Sequence, residues 1–198
     1  MFPICRYRAA SKSLVCAVTC AAPLVSAALA KAAECGEGAP DYKAHRTVAI
    51  GGETKTIEVY VSGSKLREEE ANGGHKLVVL RLPERGLKFV YDPQKKEGLR
   101  LPLPTPPNSK QPTRTTVDRL ANGTFIRHLQ IQNGSEWQES STTTCRTDRI
   151  MTGQTFTWFD RHGNLETGKL TQSDIVVGPL PEDLFEVPAE VTLRGPPG

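Results

Sequence analysis

Thr54-Lys55-Thr56-Ile57-Glu58-Val59-Tyr60-Val61 decides the fold class. Ile57, Val59 and Val61 fall on one side of an extended chain, Glu58 and Tyr60 on the other. That period of two marks a half-buried β-strand. Segments of the same kind surround it, each ended by a turn signal. Residues 44–50 stop at Gly51-Gly52, and residues 65–70 follow Gly63 and stop at Asn72-Gly73-Gly74. Residues 76–82 are mostly apolar and end at Pro83. Residues 87–91 end at Asp92-Pro93, and 98–103 close this half.

Pro102, Pro104, Pro106, Pro107 and Pro112 then interrupt the chain. Proline fixes φ and removes a backbone donor, so no central strand or helix runs through them. A surface crossing loop is expected here. The pattern resumes at 115–120 and 124–131, which flank Asn122-Gly123, a pair suited to a tight type I′ turn. Asn133-Gly134 repeats the device. Residues 137–151 are long, polar and rich in β-branched Thr. Phe156 and Trp158 share one side of 154–160, and 165–171 and 174–177 complete the series, with one helical turn expected at 181–185. No window has the period of a helix. About ten to twelve strands in one domain curl or close. The expectation is a mainly β fold with little helix.

The N-terminus reads differently. Arg6, Arg8 and Lys12 precede an apolar run, and Ala28-Leu29-Ala30 follows it. Charged, apolar and small residues in that order read as a cleavable signal peptide over 1–30. The run is too polar and too rich in alanine for a stable membrane anchor, and no small residue precedes Cys20 or Cys35 as lipidation requires. The expected address is the periplasm or the exterior. Residues 31–43, broken by Gly36, Gly38 and Pro40, read as a flexible lead-in, and 44–198 as a single β-rich domain.

Cleavage would change the charge. The chain has 25 Lys and Arg against 22 Asp and Glu. Three of the basic residues and none of the acidic ones lie in the signal, so the balance of the exported chain is neutral. A nucleic-acid partner, which wants a basic stripe, is not expected. Of five cysteines, Cys5, Cys16 and Cys20 leave with the signal. Cys35 and Cys145 remain, as a disulfide suited to an oxidising compartment or as two free thiols.

Three pieces of sequence carry a family resemblance. They are Val59-Tyr60-Val61-Ser62-Gly63-Ser64-Lys65-Leu66-Arg67-Glu68-Glu69; Lys76-Leu77-Val78-Val79-Leu80 with Lys88-Phe89-Val90-Tyr91-Asp92-Pro93-Gln94-Lys95-Lys96; and Gly178-Pro179-Leu180-Pro181-Glu182-Asp183-Leu184-Phe185-Glu186-Val187-Pro188. In this order they resemble exported proteins of the LolA-like class, in particular the relatives of lipoprotein-sorting factors. The resemblance implies a curved antiparallel sheet, a half-barrel of about eleven strands, with an apolar concave face. Its better-known members carry acyl chains across the periplasm.

Such a face would bind an acyl chain or another apolar small molecule by burial, at about 0.8 kcal/mol per methylene. The residues expected to line it are Ile57, Val59, Leu77, Val79, Phe89, Tyr91, Phe125, Phe156 and Trp158. The same residues would serve a plain core. Arg67 would face a lipid head group or pair with a neighbouring glutamate. The alternative function is a non-enzymatic structural or assembly accessory that meets another envelope protein.

No catalytic or metal motif is found, and no enzyme, cofactor or metal is expected. Ser62-Gly63-Ser64-Lys65 fits the S-x-x-K pattern of acylating enzymes but lies in a turn rather than at a helix start. His45, His75, His128 and His162 stand singly. Asn122-Gly123-Thr124 and Asn133-Gly134-Ser135 fit the glycosylation sequon, and the turn reading accounts for both without sugar.

Overall fold

The computed structural model describes residues 35–103, 112–159 and 164–195, all within one compact unit, Ala32–Gly198. The expected signal peptide, most of the proline-rich crossing and the turn at 160–163 lie outside the described residues. The chain forms one curved, open sheet. Its twelve strands are β1 (Tyr42–Ile50), β2 (Glu53–Ser62), β3 (Lys65–Asn72), β4 (His75–Leu82), β5 (Leu87–Asp92), β6 (Glu97–Pro102), β7 (Thr113–Arg119), β8 (Phe125–Asn133), β9 (Glu136–Cys145), β10 (Met151–Phe159), β11 (Leu165–Val177) and β12 (Thr192–Arg194). Two 3-10 turns, Pro83–Arg85 and Glu182–Phe185, accompany them.

The spatial order is β12-β6-β5-β4-β3-β2-β1-β11-β10-β9-β8-β7. Two antiparallel meanders, β1–β6 and β7–β11, join where β11 pairs with β1. The short β12 pairs in parallel with β6. The ends of the order do not meet, so this is a half-barrel and not a closed one. The expected turn at Asn122-Gly123 is not type I′. Only Gly123 has a positive φ, of 81°, and five residues separate β7 from β8. The Asn122 side chain instead accepts the Thr124 amide, 3.0 Å away, as in an Asx turn. The two segments expected at 165–171 and 174–177 are one strand, bent by a bulge where Asp174 takes a φ of 51°.

Strand register sorts the side chains onto two faces. Val78, Leu80 and Leu82 of β4 stand beside Tyr91, Phe89 and Leu87 of β5. The chain after β11 returns over this face and buries Phe185 and Val191 against them, with Leu180, Leu184 and Val187 at the margin. Each large apolar side chain buried here is worth about 1.5–3 kcal/mol. In β1, β2 and β8–β11 the buried residues point the other way: Tyr42, Ala44, Ile57, Val59, Phe125 and Cys145. No described helix or strand crosses this second face, yet Val59 is 0% exposed. The sheet is curved, and we take this second face, which no described helix or strand covers, as the concave one.

The change of buried face occurs between β2 and β3, and the pairing there is short. These strands pair only from Glu58↔Glu69 to Ser62↔Lys65. Yet β1 follows β2 out to Ile50↔Glu53, and β4 follows β3 out to Asn72↔His75. The sheet forks beyond Glu58 and Glu69, whose like charges sit directly opposite and disfavour further pairing.

Glu69 is held at the fork by ion pairs with Arg67 and Lys76. Burial alone would push its carboxyl up, but the hydrogen bonds from Lys76 and Arg67 outweigh burial and hold it below the ordinary value of 4.5. A depressed carboxyl adds stability above its unfolded pKa, and that stability is lost as pH falls through the folded value. Glu69→Gln is therefore expected to flatten the loss of stability below pH 4.5. Urea unfolding across an acid pH series measures this, and an unchanged slope would refute it.

Candidate functional site

The fork opens a cleft of about 630 Å³ lined by Val48, Ile50, Glu53, Thr54, Lys55, Thr56, Glu70 and Ala71. A second opening of about 500 Å³ on the other face shares Thr56 and Ala71, so the gap between β2 and β3 is open to both faces. Lys55 spans the gap to Glu70 at 2.9 Å. Val48, Ile50, Lys55 and Glu70 belong to the concave face by register. The cleft is thus the open end of that face.

An apolar wall continues from it. Leu170 pairs with Val48, and Gly168 pairs with Ile50. The Phe156 ring lies over Gly168, where an added Cβ would stand 2.5 Å from the ring, and the Trp158 ring is nearly as close. The two rings pack with centroids 5.5 Å apart. Glycine at this position leaves room for both aromatics against β11. The opposite end of the face is closed. There Tyr42, Ala44 and Ile150 form a small core with Ala39 at its margin, and Cys35 is bonded to Cys145. The residues before β1 are tied down as well: Gly36 donates to the Arg149 carbonyl, and Arg149 donates to the Glu37 carbonyl.

Between the closed and open ends lies a polar floor. Arg46, two residues before Val48, bonds Glu68 at 2.6 Å, and Arg81 reaches the other oxygen of Glu68 at 3.1 Å. Arg46 is 8% exposed. Burial pushes its guanidinium below the ordinary arginine value, and Glu68 offsets part of that cost. Gln172, its cross-strand neighbour on β11, is also 8% exposed and donates to the Met151 carbonyl. The Arg46 Nε, the Gln172 Oε1 and, on β8, the Arg127 Nε are buried without a protein partner.

Register divides the ten expected lining residues. Ile57, Val59, Leu77, Val79, Phe125, Phe156 and Trp158 lie on the concave face. Phe89, Tyr91 and Arg67 lie on the other face, beneath the C-terminal segment. Arg67 donates to Glu69, to the Tyr91 hydroxyl and to the Leu184 carbonyl, which places it as a strut under that segment. The expectations missed Arg46, Glu68 and Gln172. The signal for Arg46 was available, since it stands in phase with Tyr42 and Ala44, where an apolar residue is due.

The remaining candidates are occupied elsewhere. Ser64 donates to Glu84, and Lys65 pairs with Glu182 and sits over the Phe185 ring. His45 pairs with Asp174, His75 with Asp92, and His128 with Glu139 and Asp118. His162 lies outside the described residues. Among the described residues no group of three His, Cys, Asp or Glu could hold a metal ion.

No family model and no curated protein matches this chain. Among solved structures, its fold is similar to that of an uncharacterized conserved protein from Thermus thermophilus. The TM-score is 0.51 at 14% identity, over 79% of this chain and 91% of that one. A LolA superfamily protein from Nitrosomonas europaea matches at a TM-score of 0.38 and 10% identity, over 76% and 91%. A DUF1329 family protein from Desulfovibrio piger matches at 0.36 and 11%, again over 76% and 91%. At 14% identity the likeness to the Thermus thermophilus protein is one of fold alone.

Proposed function

We propose that this chain is an exported periplasmic protein that binds an acyl chain or another apolar ligand on the concave face of its sheet. It acts by binding rather than by chemistry on the ligand. One observation carries the reading. An apolar wall of Val48, Ile50, Leu170, Phe156 and Trp158 runs into an open cleft, with no described helix or strand over it. The cleft volume falls in the range of about 300–1,000 Å³ usual for small-molecule sites. At about 0.8 kcal/mol per methylene, burying eight to ten methylenes there gives about 6–8 kcal/mol before the cost of ordering the chain.

The test is the protein purified natively from the periplasm, extracted and analysed by mass spectrometry, with a fluorescent fatty acid titrated into the extracted protein. Co-purified lipid or saturable probe binding is expected. If neither is found, the carrier reading fails, and the alternative, an accessory that presents its sheet to an envelope protein, takes its place.

A further inference from the structure

The polar floor of the concave face has an uneven balance of charge. Two guanidinium groups, of Arg46 and Arg81, share the single carboxylate of Glu68. The cluster therefore keeps one positive charge beyond what its carboxylate cancels, shared between Arg46, which is almost wholly buried, and Arg81, which is about half exposed. A polar atom left without a partner beside a buried guanidinium is costly. Two polar atoms remain without partners on this cross-strand pair, the Nε donor of Arg46 and the Oε1 acceptor of Gln172. A bound water would satisfy both atoms and leave the charge. An anionic group would satisfy the donor and the charge together. A phosphate monoester, still anionic with one proton on it, would also donate to the Gln172 acceptor.

We propose that the ligand of the concave face is an amphiphile with an anionic head, a carboxylate or phosphate, held at Arg46, a phosphate head also reaching Gln172, while its apolar chain runs along Val48 and Ile50 toward Phe156. The register supports this direction. Arg46 and Val48 are successive residues of the same face of β1, and Gln172 and Leu170 are their partners on β11. Head site and chain site are thus consecutive along two paired strands, about 7 Å apart at the rise of an extended chain. Arg127, with its own unpartnered Nε, lies on the same face four strands away on β8 and is not part of this head site. This inference rests on the binding function proposed above.

The experiment compares ligands of equal chain length and different heads. Hexadecanoate, hexadecyl phosphate, hexadecanol and the hexadecyltrimethylammonium cation are titrated into delipidated protein, with acetate and inorganic phosphate as headgroups without a chain. Both anionic amphiphiles should bind at least about tenfold tighter than the alcohol, the scale of one charge-assisted hydrogen bond. The cation should bind more weakly still. If alcohol and anions bind equally, the head site is refuted and the carrier function stands. If none binds, the function itself falls. If acetate or phosphate alone binds as well as the full amphiphile, the site is one for a free anion and the proposal is overturned.

Arg46→Met should abolish the preference for the anion. Because that change also strips Glu68 of a partner, Glu68→Gln serves as the second variant. It keeps the shape, raises the net positive charge and should tighten hexadecanoate while leaving hexadecanol unchanged. An unchanged or weakened hexadecanoate affinity in a folded Glu68→Gln protein would overturn the proposal.

Discussion

Cys35→Ser lowers the folding free energy by about 4–5 kcal/mol. The bond from Cys35 to Cys145 joins residues 110 apart, so breaking it frees a long loop in the unfolded chain. Cys35 is the better of the two to change. It lies in the turn before β1 and is only partly buried, whereas Cys145 is fully buried, and its loss would add a cavity to the effect. The bond also pins the segment that closes one end of the concave face. Urea unfolding of the oxidised protein and of the variant measures the difference. A loss below about 1 kcal/mol would show that the bond adds little to the folded state.

Arg67→Ala lowers stability by about 3–5 kcal/mol and leaves ligand binding intact in whatever fraction stays folded. The guanidinium has three partners: the Glu69 carboxylate, the Tyr91 hydroxyl and the Leu184 carbonyl. Alanine strands the hydroxyl and the carbonyl together. Glu69 keeps Lys76, which holds the loss toward the lower end of that range. The Leu184 bond anchors the short turn that carries Phe185 into the core, so proteolysis should first cut near residues 178–191 in this variant. A folded Arg67→Ala protein that had lost its ligand would instead make Arg67 a contact of the ligand.

The alternation at Ile57, Val59 and Val61 made the strand legible, and repeated turn signals made the sheet legible. The side of the sheet that each strand buries was not. Alternation fixes a period and leaves the sign open. Phe89 and Tyr91 alternate as cleanly as Ile57 and Val59, yet they point to opposite faces, because the core changes sides across the short β2–β3 ladder. That sign comes from register between distant strands and from the return of residues 178–191. Arg67 pairs with a neighbouring glutamate, one of the two roles expected of it, and its place under the returning segment was hidden by the same gap in local information. Its motif was visible, but the carbonyl it serves lies 117 residues away. The fork could not be read either, since nothing local to Lys55 or Glu70 says that their strands part. Arg46 was readable in principle, as a charged residue in an apolar phase. The cysteine pair was reached by counting once the signal segment was set aside.

The central claim is that a chain lies on the concave face, and the two tryptophans provide a direct test. Trp158 lies on that face beside the cleft, and Trp137 lies on the opposite face under Arg114. A stearate brominated along its chain quenches only an indole it touches. In Trp137→Phe, which leaves Trp158, titrating this stearate should quench the emission saturably. In Trp158→Phe, which leaves Trp137, it should leave the emission unchanged. Equal quenching of both indoles, or none of Trp158, would contradict the account.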